Sequence, residues 1–133
     1  MIFVDSNIPM YVAGTDHPLR GPALRFMARV RNGDLEVCTS TEVLQEILYR
    51  YVGLRRLDLA TAVYDSFVQL CPVVLPVALP DTDRAREILQ GSDGISVRDA
   101  IHAAVMLNND VEQIATFDEG FDRVTGIARV TLA

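Results

Sequence analysis

Five short apolar runs, each too brief to be a helix, alternate with longer segments of helical periodicity along this 133-residue chain. The runs are Ile2–Val4, Leu35–Cys38, Val73–Leu75, Gln113–Phe117 and Ala128–Leu132. Short apolar strands separated by helices imply parallel pairing, with helices covering both faces of the sheet. The intervening segments carry helix signals. Ser6 or Asn7 can cap a helix to about Val12, with Pro9 tolerated in its first turn. Leu19–Val30 has apolar residues at helical spacing and stops at Asn32-Gly33. Thr39-Ser40-Thr41 caps a helix with Val43, Leu44, Ile47, Leu48 and Tyr51 on one side. Asp58 caps another, from Leu59 to about Leu70. Asp81 or Thr82 begins a helix to Gln90, and Gly91–Gly94 is a loop. Ser96 caps a strongly apolar helix from Val97 to about Asn108. The expected fold is a three-layer α/β/α sandwich around a central parallel sheet of four to five short strands, as one domain over residues 1–133. Right-handed crossovers make such a sheet doubly wound, and its sites form outside the carboxyl ends of the strands.

That rule gives the acidic residues an address. Asp5 ends the first strand, and Asp118 follows the fourth. Asp99 lies in the first turn of the Ser96 helix, while Glu42 and Glu46 lie in the first two turns of the Thr41 helix. All of these positions belong to the same rim. Each acid has an ordinary explanation as well. Ser96-x-x-Asp99 looks like a capping box, Glu46 and Arg50 form a favourable i,i+4 pair, and Asp118 and Asp122 flank a turn at Gly120. The convergence is what those explanations leave out. Like charges brought together are unfavourable unless a proton or cation sits among them. Oxygen donors without cysteine or histidine partners suit Mg²⁺ or Mn²⁺. Between the two glutamates, Glu46 is preferred because it falls among Val43, Leu44, Ile47 and Leu48, where a carboxylate needs a partner. His102 lies one turn after Asp99. It is read first as a packed histidine with one hydrogen bond and second as an aid to proton transfer.

Composition enters by exclusion. The net charge is −6, with 18 acidic and 12 basic residues, which disfavours a simple non-specific nucleic-acid binder. Every basic residue is arginine, so Schiff-base and P-loop lysine chemistry are excluded. Cys38 and Cys71 are far apart in sequence and read as reduced, buried thiols. The N-terminus has no basic, apolar leader and no apolar run approaches a bilayer span, so a cytoplasmic chain without membrane contact is expected.

Four segments carry a resemblance. Ile2-Phe3-Val4-Asp5-Ser6-Asn7-Ile8, Thr41-Glu42-Val43-Leu44-Gln45-Glu46-Ile47-Leu48, Ser96-Val97-Arg98-Asp99-Ala100-Ile101-His102-Ala103-Ala104 and Thr116-Phe117-Asp118-Glu119-Gly120-Phe121-Asp122 resemble the PIN domain, in the family order. The nearest likeness is to the VapC-like toxin ribonucleases of bacterial toxin–antitoxin pairs. The resemblance implies that Asp5, Glu46, Asp99 and Asp118 form the acidic quartet, with Asp122 in reserve for the last and Glu46 favoured over Glu42. It implies that Asn7 orients the first carboxylate and that Thr116 is the hydroxyl residue before the fourth acid. It further implies Mg²⁺- or Mn²⁺-dependent cleavage of RNA to 5′-phosphate and 3′-hydroxyl ends. Asp5 and Asp99 are then direct ligands, and Glu46 and Asp118 act directly or through water. A homodimer and a small antitoxin partner also follow from the likeness.

Two enzymes of similar topology, phospho-receiver domains and haloacid-dehalogenase-type phosphatases, need a lysine that this chain lacks. The remaining alternative is a catalytically inactive PIN-like module that binds protein or RNA. Arg50 and Arg98 are the basic residues expected nearest the acids. Tyr11, Tyr49, Tyr51 and Phe67 are open to two readings, as groove lining or as core.

Overall fold

The computed structural model describes residues 1–133. Strand β1 (Ile2–Val4) leads to helices α1 (Asn7–Ala13) and α2 (Arg20–Arg31). Strand β2 (Val37–Ser40) is followed by α3 (Thr41–Gly53) and α4 (Leu57–Leu70). Strand β3 (Val73–Leu75) precedes α5 (Leu79–Gly91) and α6 (Val97–Asn108). The chain closes with β4 (Gln113–Ala115), a 3₁₀ turn (Glu119–Arg123) and β5 (Ala128–Arg129). The five strands lie in the order β3-β2-β1-β4-β5, and every pairing is parallel. The architecture is the expected α/β/α sandwich.

The central strand explains why the sheet must be covered twice. Phe3 and Val4 point to opposite faces, and both are fully buried. They join a contiguous apolar cluster that includes Ile8, Ile47, Phe67, Ala103, Ile114 and Phe121. Phe67 therefore resolves to core. Cys38 and Cys71 are buried free thiols, and burial pushes them up to about 11 and about 12. No helix is long and apolar enough to cross a membrane.

Several element boundaries differ from expectation, each for a local reason. Strand β2 is displaced two residues, to Val37–Ser40, because Thr39 and Ser40 are buried polar residues with partners of their own. The Thr39 hydroxyl donates to the Val4 carbonyl (3.1 Å), and the Ser40 hydroxyl accepts from the Val43 amide to cap α3. Helix α4 begins at Leu57 rather than after Asp58, whose carboxylate is occupied by Arg56 at 3.1 Å. Helix α5 begins at Leu79, and Pro80 is accommodated in the first turn. Asp81 accepts from the Ala78 amide there, so it follows the start instead of making it. Strands β4 and β5 are shorter than the apolar runs that signalled them.

The strand order places the topological switch between β1 and β4. Chain progress runs outward through β2 and β3 on one side and through β4 and β5 on the other. Asp5 and Thr116 are each the first residue past the end of one of these two central strands. The Asp5 amide donates to the Ala115 carbonyl (3.1 Å), extending the pairing into the site.

Candidate active site

Asp5 is 4% exposed and held from three directions. One carboxylate oxygen accepts from the Ser6 amide at 2.7 Å and the other from the Thr116 hydroxyl at 2.7 Å; the Asn7 side-chain amide lies 3.5 Å away. The Thr116 oxygen is fully used. It donates to Asp5 and accepts from the Asn7 side chain (3.2 Å) and from the Asp118 amide (3.0 Å). One hydroxyl thus locks the end of β1 to the loop after β4. Burial raises the Asp5 carboxyl above its ordinary range, against the lowering effects of His102, Thr116 and the Ser6 amide.

Glu46, 5% exposed, approaches from α3. Its two oxygens are separately engaged, by the Ser6 hydroxyl at 2.5 Å and by Nε2 of His102 at 2.5 Å. The Arg98 guanidinium is 3.7 Å from the second oxygen. The expected pair with Arg50 does not form; Glu46 is turned inward, away from its own helix neighbour. Ser6 likewise does not cap α1, because its hydroxyl serves Glu46 instead. His102 is completely buried, lies 3.7 Å from Asp5 and packs against Phe3 and Phe121. Burial alone would lower its pKa. The Glu46 hydrogen bond and the charges of Asp5, Glu46 and Asp99 outweigh that and raise it.

Asp99 and Asp118 form the opposite wall. The Ser96 hydroxyl accepts from the Asp99 amide (3.1 Å), which is the backbone half of a capping box. The Asp99 carboxylate faces Asp118 instead of returning to the cap. Burial and the Asp118 carboxylate push Asp99 up to about 8. Asp118 is held below its ordinary value by its hydrogen bond with Asp99, with further help from the Gly120 amide at 2.8 Å and from Arg129. In other words, the two carboxylates retain one proton between them near neutrality. Gly120 leaves this wall clear: a Cβ there would stand 3.0 Å from Oδ1 of Asp118 and 3.7 Å from Oδ2 of Asp99.

All four expected acids line one cleft of about 440 Å³ whose eight lining residues are all polar; Arg98 is its only basic residue. The reserve candidates are not part of it. Asp122 is drawn off into an exposed two-point ion pair with Arg129 (2.9 and 2.8 Å), and Glu42 does not reach the cleft. Arg50 lines the adjoining groove rather than the cleft. Two residues at the cleft carry weaker sequence signals, Ser6 and His102. The signal for His102 was its i,i+3 spacing from Asp99; for Ser6 it was obscured because serine before a helix ordinarily reads as a cap.

The donor set fits a hard divalent cation. Ligand atoms of Asp5, Glu46 and His102 come within 4.8 Å of one another, and Asp99 and Asp118 share a proton that a cation can replace. The cluster could hold a metal, with carboxylate oxygens as its dominant donors.

The PIN domain family profile matches residues 2–127. The chain belongs to the PIN domain family. Within it, this PIN-domain chain is 40% identical to ribonuclease VapC13 of Mycobacterium tuberculosis over 130 residues, 98% of this chain and 99% of the relative. Among solved structures it is similar to Mycobacterium tuberculosis VapC20, described as a sarcin–ricin loop cleaving toxin. That similarity has a TM-score of 0.75 and 25% identity, over 92% of this chain and 93% of that one. VapBC2 from Rickettsia felis, solved bound to a DNA fragment from its promoter, shares the fold at a TM-score of 0.73 with 16% identity, over 98% of each chain. The relatives place this PIN domain among the VapC ribonucleases of toxin–antitoxin systems.

Proposed function

We propose that this chain is a Mg²⁺- or Mn²⁺-dependent endoribonuclease, the toxin of a toxin–antitoxin pair. The observation that carries the proposal is the polar cleft in which Asp5, Glu46, Asp99 and Asp118 converge opposite a single arginine. Bound there, a divalent ion lowers the pKa of a water molecule and offsets the charge that develops on the leaving oxygen.

The chain's own residues divide the remaining work. Asp5 and Asp99, from the two walls, are the direct ligands, and Asp118 completes the oxygen set. Thr116 and the Ser6 amide fix the Asp5 carboxylate, so its oxygens need not reorganise when an ion arrives. Glu46 already has both oxygens engaged by Ser6 and His102, so it acts through hydrogen bonds and water rather than as a free ligand. Arg98, whose side chain is 54% exposed, is placed to take a phosphate oxygen of the RNA. Its charge reaches the substrate locally, which is why a net charge of −6 is compatible with an anionic substrate. Cleavage leaves a 5′-phosphate and a 3′-hydroxyl.

A small antitoxin that covers the cleft, a homodimeric toxin and a cytoplasmic location belong to the same reading. The antitoxin is supported by the VapC relatives and the VapBC2 assembly of like fold; the homodimer and the location rest on the family resemblance alone. The test is cleavage of total bacterial RNA by purified protein with Mn²⁺ or Mg²⁺, with RNA ends sequenced afterwards. The intact chain should cut at defined sites, and Asp5→Asn, while folded, should not. Equal cutting by Asp5→Asn rejects the mechanism. No cutting by the intact chain in either metal leaves the inactive binding-module reading in its place.

A further inference from the structure

Beside the acid cleft lies a larger groove of about 840 Å³, formed by α1, the turn after it and the second half of α3. The two spaces adjoin: Ser6, Asn7, Glu46 and Arg98 line both. Their chemistry changes abruptly across that boundary. The cleft has no hydrophobic lining, whereas the groove is lined by Met10, Tyr11, Tyr49, Tyr51 and Leu54. A strand threaded through both would find its phosphate chemistry on one side and flat apolar surface on the other.

We propose that this groove is a nucleobase subsite, which receives one unpaired base of single-stranded RNA adjoining the phosphate to be cut. The proposal rests on the nuclease reading and adds a substrate determinant to it. Three features favour a base over other occupants. Tyr49 is 68% exposed, a large aromatic ring that the fold itself leaves uncovered. Tyr11 is held rigidly, edge-on to Phe117 at 5.4 Å and against His17 at 4.8 Å, so little side-chain freedom is lost when a ligand meets it. Charge is matched to a nucleotide rather than to a hydrocarbon: Arg50 and Arg98 provide for flanking phosphates. Asp16, also on the lining, opposes a phosphate at its own position and accepts from the amino group of a base. A base can occupy such a groove only when it is unstacked from its neighbours, which selects loops and single strands over duplex RNA.

The test separates binding from cutting. A short fluorescein-labelled oligoribonucleotide of mixed sequence is titrated onto the full chain carrying Asp5→Asn, so the strand stays intact. Tyr49→Ala in that background should weaken binding about 5- to 150-fold, the range for removing one base–aromatic stack. Tyr49→Phe should bind like the parent, and thermal melting should be unchanged for both. Abasic substitutions stepped along the strand should reveal one position that costs the parent a similar factor and costs Tyr49→Ala almost nothing further. Arg50→Ala should reduce the slope of log affinity against log salt by about one. Equal affinity of Tyr49→Ala and parent, or no abasic position coupled to Tyr49, overturns the subsite. So does a Tyr49→Ala protein that keeps its RNA affinity but loses a co-purifying polypeptide, which would make the groove a protein-docking surface. If Tyr49 couples to a base but the intact chain never cuts RNA, the subsite stands and the nuclease reading falls. If the chain cuts RNA without that coupling, the reverse holds.

Discussion

Replacing Thr116 with valine keeps the size of the side chain and removes a hydroxyl that ties the Asp5 carboxylate to the loop after β4. The hydroxyl is fully buried and makes three hydrogen bonds: to the Asp5 carboxylate at 2.7 Å, from the Asn7 amide at 3.2 Å and from the Asp118 backbone amide at 3.0 Å. A hydrogen bond to a charged group contributes about 1.5–3 kcal/mol, and a buried donor left unpaired costs about 1–3 kcal/mol. Asn7 retains its longer contact with Asp5, so its loss is partial. A destabilisation of about 2–4 kcal/mol is expected for the metal-free protein, which corresponds to a fall in Tm of roughly 7–14 °C for a domain of this size. Thr116→Ser is the informative control. It keeps the oxygen and deletes one buried methyl, costing about 1 kcal/mol. Urea unfolding followed by circular dichroism in EDTA gives the stabilities, and calorimetric titration with Mn²⁺ gives the affinities. Valine should be the more damaging change in both, because the Asp5 carboxylate loses a donor that favours its charged form and fixes its position for an ion. A valine variant as stable as the parent, or a serine variant that binds metal worse than valine, would refute the role assigned to this oxygen.

Three further outcomes follow from the charges. Asp99 is raised from 3.8 to about 8, so the folded state holds its proton where the unfolded chain has lost it; metal-free stability should fall as pH rises across that interval. Asp5 and His102 are also raised and push the same way, while Asp118, held low, contributes stability that is lost only at acid pH. Urea melts across this range should show the decline in EDTA and its reversal with Mn²⁺; a stability that rises toward pH 8 without metal contradicts the shared proton. Gly120→Ala should weaken Mn²⁺ binding by displacing the Asp118 carboxylate that its methyl would meet at 3.0 Å, and an unchanged calorimetric affinity would show that this wall has slack. Asp122→Asn should leave thermal stability close to the parent's and RNA cleavage intact, since it breaks only an exposed pair with Arg129; loss of cleavage would bring Asp122 back into the site.

The parallel sheet was legible because its strands are buried on both faces and are therefore apolar throughout, as Phe3 and Val4 show. The rim was legible because helix starts and strand ends share one edge in a doubly wound sheet. The structure departs from the local sequence pattern where polar side chains have two possible uses. Thr39 and Ser40 resemble the start of a helix and are partly strand. Ser6 resembles a cap and is a ligand of Glu46. Glu46 has a well-placed arginine one turn ahead on its own helix, but its partners come from α6 and from the end of β1. Local spacing records which pairs are possible. It does not record that a buried residue such as His102, 56 positions away, offers a better one.

Those non-local partners also explain how the fold tolerates its own site. Four carboxylates in one cleft oppose folding, and the chain reduces the cost differently at each wall. Asp5 and Glu46 are buried, yet they are surrounded by fixed donors: two hydroxyls, one backbone amide and one imidazole. Asp99 and Asp118 are less buried and rely on a shared proton. The first pair is therefore ready in geometry before any ion arrives, while the second changes its protonation when the ion enters. Metal binding should accordingly release a proton near neutrality, and the release should disappear in Asp99→Asn. The same substitution should make the metal-free protein more stable at pH 8, because it removes the group whose ionisation the fold resists. A variant that is sturdier without metal and blunt as a metal binder is the signature expected when stability has been given up for the site. Calorimetry in two buffers of different ionisation enthalpy counts the protons. An Asp99→Asn protein that still released one on binding would place the shared proton elsewhere, on the Asp5–His102 side of the cleft.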